Sequence, residues 1–409
     1  MTATAPRTVL VLGGGTRLPK ALRAHGCHVV YGGTLAEFGP AHRDACDEAL
    51  LLPDDDGDAW LDRVLALHKA VPFDRVVTVR ERFLTTAARI RDALGLAGNP
   101  LRTVLLLKDK ALMREVLKGT PGTPGSLAVR AALLRTPDDL ADFAARAGLP
   151  VVLKPRDGSG SQGIRVLRSA ADVERAARLV AETPDALLAE EFLDGPEYSV
   201  ESFSRGGEHQ VLAVTEKFTG DNAVEIGHVV PARIDAARHA ALVSATRAFL
   251  DAVALTEGPA HTEIIVTPAG PRVVESHDRP GGDGIIDLVR EVTGADVRDL
   301  VAAHTAGVQP PPPVPTAEAA ATWFLTAPPG LVTEVTGWQA AATSPGVLQT
   351  DPGTAPGDTV PTLSSSEDRC GSLTALGTTP DEALERARAA LAKVHITTQP
   401  VSGEETPAS

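Results

Sequence analysis

Aromatic side chains are scarce in this 409-residue chain. Phe, Tyr and Trp together make up 3% of residues, so the cores must be built mainly from Ala, Val, Leu and Ile, and few rings remain for base-stacking platforms. Basic charge is also in deficit: Lys plus Arg total 39 against 53 Asp plus Glu, a formal net charge of -14. No basic block is present that would release counterions from nucleic acid, and no nucleic-acid partner is expected. Cysteine is reduced to Cys27, Cys46 and Cys370. They are widely spaced and contain no CxxC pair for zinc or thiol exchange, which fits a reducing compartment. Long apolar runs are missing too. The first, Val9 to Leu12, is too short for a signal peptide's apolar region, and none approaches the ~20 residues of a membrane span. A cytoplasmic protein with no membrane partner is expected. Glycine (37) and proline (32) are plentiful, and the length suits two or three domains.

Residues 8–12 (TVLVL) are closed by Gly13-Gly14-Gly15, a helical pattern follows at Leu18, Leu22 and Ala24, and His28 to Tyr31 is the next strand candidate. The glycines fill the first two positions of GxGxxG, but Leu18 stands at the third and no acid ends the second strand. A tight turn in a Rossmann-like domain is the preferred reading, and an NAD-dependent dehydrogenase is a rival resting on those glycines alone. Helical segments at 58–70 and 83–94 flank an apolar run at 75–79, which makes residues 1 to about 105 an α/β unit with a parallel sheet. An amphipathic helix starts at Lys108-Asp109-Lys110 and ends at Gly119, before the stretch TPGTPGS at 120–126. Strands are expected at 151–154 and 164–168, helices at 170–182 and 235–253, and strand pairs on either side of the latter. Gln309 to Pro315 is proline-rich, hence stiff and extended. The expected units are therefore 1–107, 108–308 and 316–398, the last with short strands and a closing helix at 380–393, followed by a disordered tail at 399–409.

Three constellations carry chemistry. In the first, Lys154 stands at a strand end, and Gly158, Ser159, Gly160, Ser161 and Gly163 follow it. Glycines let backbone N–H groups approach an anion that the lysine neutralises, which makes a polyphosphate cradle. The lysine precedes the glycines, so the spacing is not GxxxxGK[ST]; the alternative is a hairpin loop with a surface lysine. In the second, Glu190-Glu191-Phe192-Leu193 ends an apolar strand and Glu197 follows a turn at Gly195. Acceptors beside apolar walls suit adenine, and Glu197 could accept from ribose hydroxyls, although on local pattern alone a solvated hairpin is the simpler reading. The third is a hairpin with Glu263 on one strand and Glu275-Ser-His277-Asp-Arg279-Pro-Gly-Gly-Asp283 on the other. Carboxylates facing one another repel unless a cation sits between them, and hard oxygen ligands completed by phosphate oxygens suit Mg²⁺.

Taken in this order, the motifs resemble the ATP-grasp superfamily over essentially the whole chain. Glu197 stands seven residues after Glu190 and Glu275 twelve after Glu263, as in biotin carboxylases and D-alanine ligases. The resemblance implies an α/β and α+β chain: an ATP-grasp fold with an N-terminal Rossmann-like pre-ATP-grasp domain and a small C-terminal α+β domain. It implies ATP and Mg²⁺ as cofactors, with Mn²⁺ as a substitute. Lys110 and Lys154 would bind the ATP phosphates, with the loop Gly158, Ser159, Gly160, Ser161 and Gly163 closing over them. Glu190, Glu191, Phe192 and Leu193 would line the adenine hinge, with Glu197 on ribose. Glu263 and Glu275 would hold Mg²⁺, and Arg279 would steady an acyl-phosphate and the tetrahedral intermediate. Many members have Glu-x-Asn-x-Arg; here His277 replaces the Asn, and it either gives a nitrogen to a second ion or leaves that ion to water.

Glu225-Ile-Gly-His228-Val-Val-Pro231 is similar to the GHxxP element of the L-amino acid ligases, and the last unit, with Ser364 to Gly371 and a TPDEA helix start, resembles their C-terminal domain. This narrower resemblance implies that a carboxylate and an amine are joined at the expense of ATP, through an acyl-phosphate, giving an amide or peptide, ADP and phosphate. Small amino-acid or carboxylate substrates and a homodimer go with it. Arg279, Lys154 and His228 are the catalytic candidates, with Arg80 or Glu81 as further substrate-site candidates; a strand histidine satisfied by a backbone carbonyl is the plainer reading of His228. Two other functions fit the same residues: loading an amino acid onto a carrier protein or into a specialised metabolite, and a non-catalytic ATP-binding sensor. The intact Lys154, Glu263, Glu275 and Arg279 speak for turnover.

Overall fold

A computed structural model describes residues 6–119, 127–158, 160–220 and 224–400. The chain opens with β1 (Thr8–Leu12), α1 (Arg17–Ala24), β2 (His28–Thr34), α2 (Pro40–Ala45), β3 (Glu48–Leu52), α3 (Gly57–His68), β4 (Arg75–Val77), α4 (Leu84–Leu94) and α5 (Leu101–Lys108). The strands form one parallel sheet in the order β3-β2-β1-β4. Helices cover both faces of that sheet, so β1 is apolar from Val9 to Leu12 without alternation and is buried there. The helix expected to begin at 108 begins at Lys110: Lys108 ends α5, Asp109 (φ -95, ψ 104) breaks the run, and α6 (Lys110–Gly119) starts afresh. Its carboxylate accepts from the N–H groups of Ala111 and Leu112 at 2.9 and 3.2 Å, which caps α6. The expected TPGTPGS stretch lies outside the described residues.

Next come β5 (Ala131–Leu134), α7 (Pro137–Ala147), β6 (Val151–Pro155), β7 (Arg165–Leu167), α8 (Ala170–Glu182) and β8 (Leu187–Glu191), whose strands form an antiparallel sheet in the order β5-β8-β6-β7. Helices α7 and α8 both start with capping boxes, Thr136 with Asp139 and Ser169 with Asp172, so local sequence alone fixes their first turns. The chain continues with β9 (Glu197–Arg205), β10 (Glu208–Thr219), β11 (Glu225–Val230), α9 (Ala236–Ala252), β12 (Gly258–Thr267), β13 (Gly270–His277), α10 (Ile285–Thr293) and α11 (Val297–Ala306). Val301 and Ala302 of α11 share a core with Val9, Leu18 and Leu22, which seats the first unit on the middle one.

Beyond the proline-rich stretch are β14 (Ala319–Leu325), β15 (Gly330–Thr336), α12 (Trp338–Ala342), β16 (Val347–Pro352), β17 (Thr359–Val360), β18 (Gly371–Gly377), α13 (Pro380–Leu391) and β19 (His395–Gln399). These do not form a sheet of their own alone. One antiparallel sheet runs β13-β12-β9-β10-β11-β14-β18-β16, so β14 pairs directly with β11 across the proline stretch. Helix α13 does not close the chain as expected: β19 follows it, and Gln399, placed at the head of a disordered tail, pairs with Leu331 of β15. Residues 401–409 of that tail lie outside the described residues. No helix among the described residues is long and apolar enough to cross a membrane.

Candidate active site

A cleft between the β5-β8-β6-β7 sheet and the long sheet is lined by Lys110, Lys154, Gly158, Gly160, Ser161, Glu190 to Leu193, Glu197, Glu263 and Glu275, with Val152, Val166, Ile265 and Val274 as aliphatic walls. The two lysines arrive from different elements. The Lys110 ammonium, on the first residue of α6, lies 2.6 Å from the Gly158 carbonyl and 2.9 Å from a Glu275 oxygen. Lys154, at the end of β6, lies 2.7 Å from Glu190. Within the glycine loop, Gly160 (φ +67) accepts from the Ser366 N–H at 3.2 Å, so the loop touches the last unit, and a Cβ on Gly163 (φ +71) would stand 3.0 Å from Pro155. Ser159 lies outside the described residues.

Glu190 and Glu191 both line the cleft, but their carboxylates already have partners. Strand alternation turns Glu190 inward, where it is 4% exposed and bonded to Arg114 Nε and Nη2 at 2.8 and 3.2 Å as well as to Lys154. Burial raises its pKa, but Arg114 and Lys154 outweigh that and hold it below the ordinary glutamate value. Glu191 points the other way, and Arg130 takes its carboxylate through N–H and Nε at 2.9 and 2.7 Å. The backbone of 191–193, Leu193 and the half-open Phe192 ring, over which Arg168 lies at 5.8 Å, are what this hinge presents to the cleft. Glu197 lines the cleft too, but it is 2.9 Å from Lys217, so a ribose contact would compete with that pair.

Register explains the carboxylate centre. Ser199 of β9, Glu263 of β12 and Glu275 of β13 stand abreast, and so do Glu201, His261 and His277 two residues along, all on one face. The Lys217 ammonium, fully buried on β10, lies 2.8 Å from Glu263 and also contacts Glu197 and Glu225. Burial works against its charge, yet the three carboxylates raise its pKa well above the ordinary lysine value. Burial likewise pushes Glu263 up while Lys217 and His261 draw it down to about 2. Glu275 is raised by burial but held well below the usual range by Lys110 and His277. The two glutamates thus face each other ionised, each neutralised by a lysine. That all-oxygen donor pair fits a divalent cation.

Behind it, His261 Nδ1 is 2.7 Å from Glu201 and Nε2 is 3.0 Å from Glu263, and Ser199 Oγ donates to Glu201 at 2.9 Å. Burial lowers the His261 pKa, but the two glutamates raise it to about 10, so it is an imidazolium. A Cβ on Gly281 would come 2.8 Å from His261 Nδ1 and 3.0 Å from Glu201, so glycine there lets the PGGD turn rest on this pair.

His277 was expected at the metal. Instead its Nε2 lies 3.3 Å from Glu275 and its Nδ1 3.0 Å from Glu81. Burial opposes its charge and the two carboxylates raise its pKa, so each ring nitrogen faces a carboxylate in place of an open metal position. Glu81 then bonds Arg279 Nε at 2.7 Å. Burial raises the Glu81 pKa, and His277 with Arg279 brings it down to about 2. An alternating chain results, Lys110, Glu275, His277, Glu81, Arg279, leading from the first cleft to a second cavity lined by Arg279, Glu81 and Arg80. Lys110 and Arg279 stand at the two ends of this chain, and Lys154, paired with Glu190 in the first cleft, does not share a pocket with Arg279.

His228 reaches neither cavity surface. It is fully buried on β11, with Nε2 3.4 Å from Glu225 and 3.9 Å from Asp283, and the Phe324 ring packs edge-on to it. No backbone carbonyl satisfies it among the described residues. Arg369 clamps Asp283 at 2.7 and 3.0 Å and donates to the Glu225 carbonyl at 3.2 Å, so the last unit reaches into the centre through an arginine that the sequence reading did not single out. Arg114 and Lys217 were missed as well. Arg114 stands four residues after Lys110 on α6, hence on its face, and Lys217 is an inward-phase lysine of a central strand; both signals are in the sequence.

Fold and site together define the class: the chain carries an ATP-grasp domain preceded by an ATP-grasp N-terminal domain. Residues 147–286 match the ATP-grasp domain and residues 20–98 the ATP-grasp N-terminal domain. Within that class it is L-amino-acid-ligase-like, because residues 323–399 match L-amino acid ligase C-terminal domain 2. It is 23% identical over 267 residues to the alanine--anticapsin ligase of Bacillus subtilis (strain 168), covering 59% of this chain and 56% of that protein. It is 27% identical over 281 residues to human carnosine synthase 1, covering 63% of this chain and 33% of that protein. The chain thus spans about half the length, or less, of these curated relatives. The L-amino acid ligase structure from Bacillus licheniformis shares its fold at a TM-score of 0.79 and 24% identity, over 97% of this chain and all of that one. A biotin carboxylase domain from Hydrogenobacter thermophilus, solved with MgADP, aligns at a TM-score of 0.69 and 18% identity, over 97% of this chain and 91% of that one. ATP-grasp enzymes in general use ATP and Mg²⁺.

Proposed function

We propose that the chain is an ATP-dependent carboxylate–amine ligase that forms an amide or peptide bond between amino-acid-type substrates. The observation that carries this reading is the ion chain of the two cavities: a nucleotide-type cleft with paired glutamates connects through His277 and Glu81 to a cavity headed by Arg279. A carboxylate resists amines at neutral pH because its carbonyl is stabilised by negative charge and oxide is a poor leaving group. Transfer of the γ-phosphoryl of ATP to it breaks the β–γ bridge, releases ADP and gives an acyl-phosphate. The amine nitrogen then attacks the acyl carbon, phosphate departs, and the amine's proton passes to a base. Glu263 and Glu275 would hold Mg²⁺, whose role is to neutralise phosphate oxygens. Lys110, released from Glu275, and Lys154 bind phosphate, the 158–163 loop excludes water, and Arg279 holds the acyl-phosphate oxygens. We place Arg369 and Asp283 beside this centre as supports contributed partly by the last unit. We assign nucleotide binding to 108–308 and support of the reaction to 1–107 and 316–398.

Incubation with Mg²⁺, ATP and pairs of amino acids should release phosphate only when a suitable pair is present, with the condensed product seen by mass spectrometry; pair-independent phosphate release would contradict the proposal. Lys154→Ala should raise the KM for ATP and lower kcat by about tenfold or more, since it removes a charge-assisted phosphate contact; unchanged kinetics would misplace the cradle.

His261 is a positioning residue in this reading. His261→Gln should raise the Mg²⁺ concentration needed for half-maximal rate by roughly 10- to 100-fold, the usual cost of losing a group that orients a metal ligand, with a smaller effect on kcat at saturating Mg²⁺. An equal fall in kcat at every Mg²⁺ concentration would refute the role.

A further inference from the structure

We infer that the second cavity takes a carboxylate substrate bearing a second anionic group, and that Arg80 recognises the group that does not react. The inference rests on the ligase reading, which sets the reacting carboxylate beside Arg279. The cavity, about 750 Å³, lies between the loop at Gly14 to Leu18, the loop after β4 and the turn carrying Arg279. In a chain of net charge -14, five arginines line it (Arg17, Arg80, Arg82, Arg279 and Arg298) against one acid, Glu81.

Four of these arginines are already neutralised. Glu81 pairs with Arg279 at 2.7 Å, Asp287 with Arg17 at 3.2 Å and with Arg298 at 3.1 Å, and Glu37 with Arg82. Arg80 is the exception: among the described residues no carboxylate pairs with its guanidinium. Glu37, whose charge it feels, is committed to Arg82 and to Thr34 Oγ1 at 3.0 Å.

Arg80 is exposed at the cavity rim, and its stem lies along the glycine loop. Its Cγ lies 3.4 and 3.5 Å from where a Cβ would stand on Gly13 and Gly14, both at positive φ (+65 and +90), so the glycines leave its stem room along the loop. That loop is itself fixed: the Gly13 N–H donates to the Gly32 carbonyl at 2.6 Å, and the Gly14 carbonyl accepts from the Tyr31 hydroxyl at 3.1 Å and lies 3.1 Å from His42 Nε2. An unneutralised guanidinium sharing a cavity wall with Arg279 suits a bidentate contact to a second carboxylate or a phosphate. A substrate with a neutral side chain would leave it with water only.

The test compares matched pairs: glutamate with glutamine, aspartate with asparagine, and phosphoserine with serine. Binding is measured by calorimetry on the full chain with MgADP. In at least one pair the anionic member should bind about tenfold or more tighter, the scale of one charged hydrogen bond, and which pair shows it tells carboxylate from phosphate. Arg80→Gln should bring that ratio close to one and Arg80→Lys should restore part of it. Equal binding within every pair, or a ratio that survives Arg80→Gln, overturns the subsite. Phosphate release with the same acids and an amine panel separates the two readings. Anion-selective binding without turnover for any pair keeps the subsite and removes the ligase, whereas turnover that favours the neutral members keeps the ligase and removes the subsite.

Discussion

Glu275→Gln should lower Mg²⁺-dependent phosphate release by roughly 10²- to 10³-fold, the range for losing one preorganised electrostatic partner of a transferring group, while the protein stays folded. Glutamine keeps the shape of the side chain but removes the charge that draws in both Lys110 and His277. Breaking one side of a buried pair commonly costs about 3–5 kcal/mol. Here two effects offset part of that: the repulsion between Glu275 and Glu263 disappears, and Lys110 keeps the Gly158 carbonyl at 2.6 Å. Activity should therefore fall far more than stability. Melting temperature and phosphate release, measured together over a range of Mg²⁺ concentrations, check this; near-normal turnover at high Mg²⁺ would show that the glutamate pair does not serve the metal.

Lys217→Met should have the opposite balance, with a large loss of stability of about 3–5 kcal/mol. Methionine fills the volume but leaves Glu197, Glu225 and Glu263 together without their shared cation. In the native protein Glu263, with a pKa of about 2, contributes stability that is present above the unfolded glutamate value and lost as pH falls through about 2. In the variant, burial and mutual repulsion place the carboxylate pKa values above the unfolded value. Its deficit should then be small in acid and grow as pH rises through those values. Melting curves from pH 5 to pH 8 read this directly, and millimolar Mg²⁺ should restore part of the loss at pH 8 by taking the vacated position. A deficit equal at both pH values and blind to Mg²⁺ would mean that the lysine acts only through packing.

Much of this architecture was legible in the sequence because it rests on local signals. The run at 8–12, the helix at 170–182, and the hairpin that carries Glu263 and Glu275 each depend on neighbours along the chain. The Glu263–Glu275 pair was legible for the same reason, since a hairpin register follows from its turn. What stayed hidden depends on contacts between distant segments. Whether Glu190 or Glu191 faces inward is decided by where Arg114 arrives, 76 residues away, and the partner of Arg279 is 198 residues upstream. His277 in place of Asn looked like a change of metal ligand because its two carboxylate neighbours come from different units. Local pattern gives no measure of such meetings.

The long sheet carries a consequence for how the chain can be altered. Strand β14 hydrogen-bonds to β11 from Gly227↔Trp323 to Val230↔Ala320, and Gly227 leaves room for the Trp323 ring, which a Cβ would meet at 2.2 Å. The last unit is therefore not a module hung on a linker: cutting at the prolines would open β11 to water along its whole length and uncover an adhesive edge. A chimera that borrows this unit from a relative would have to match strand register and the Gly227–Trp323 fit, so the proline stretch that looks like the natural seam is a poor place to recombine such proteins.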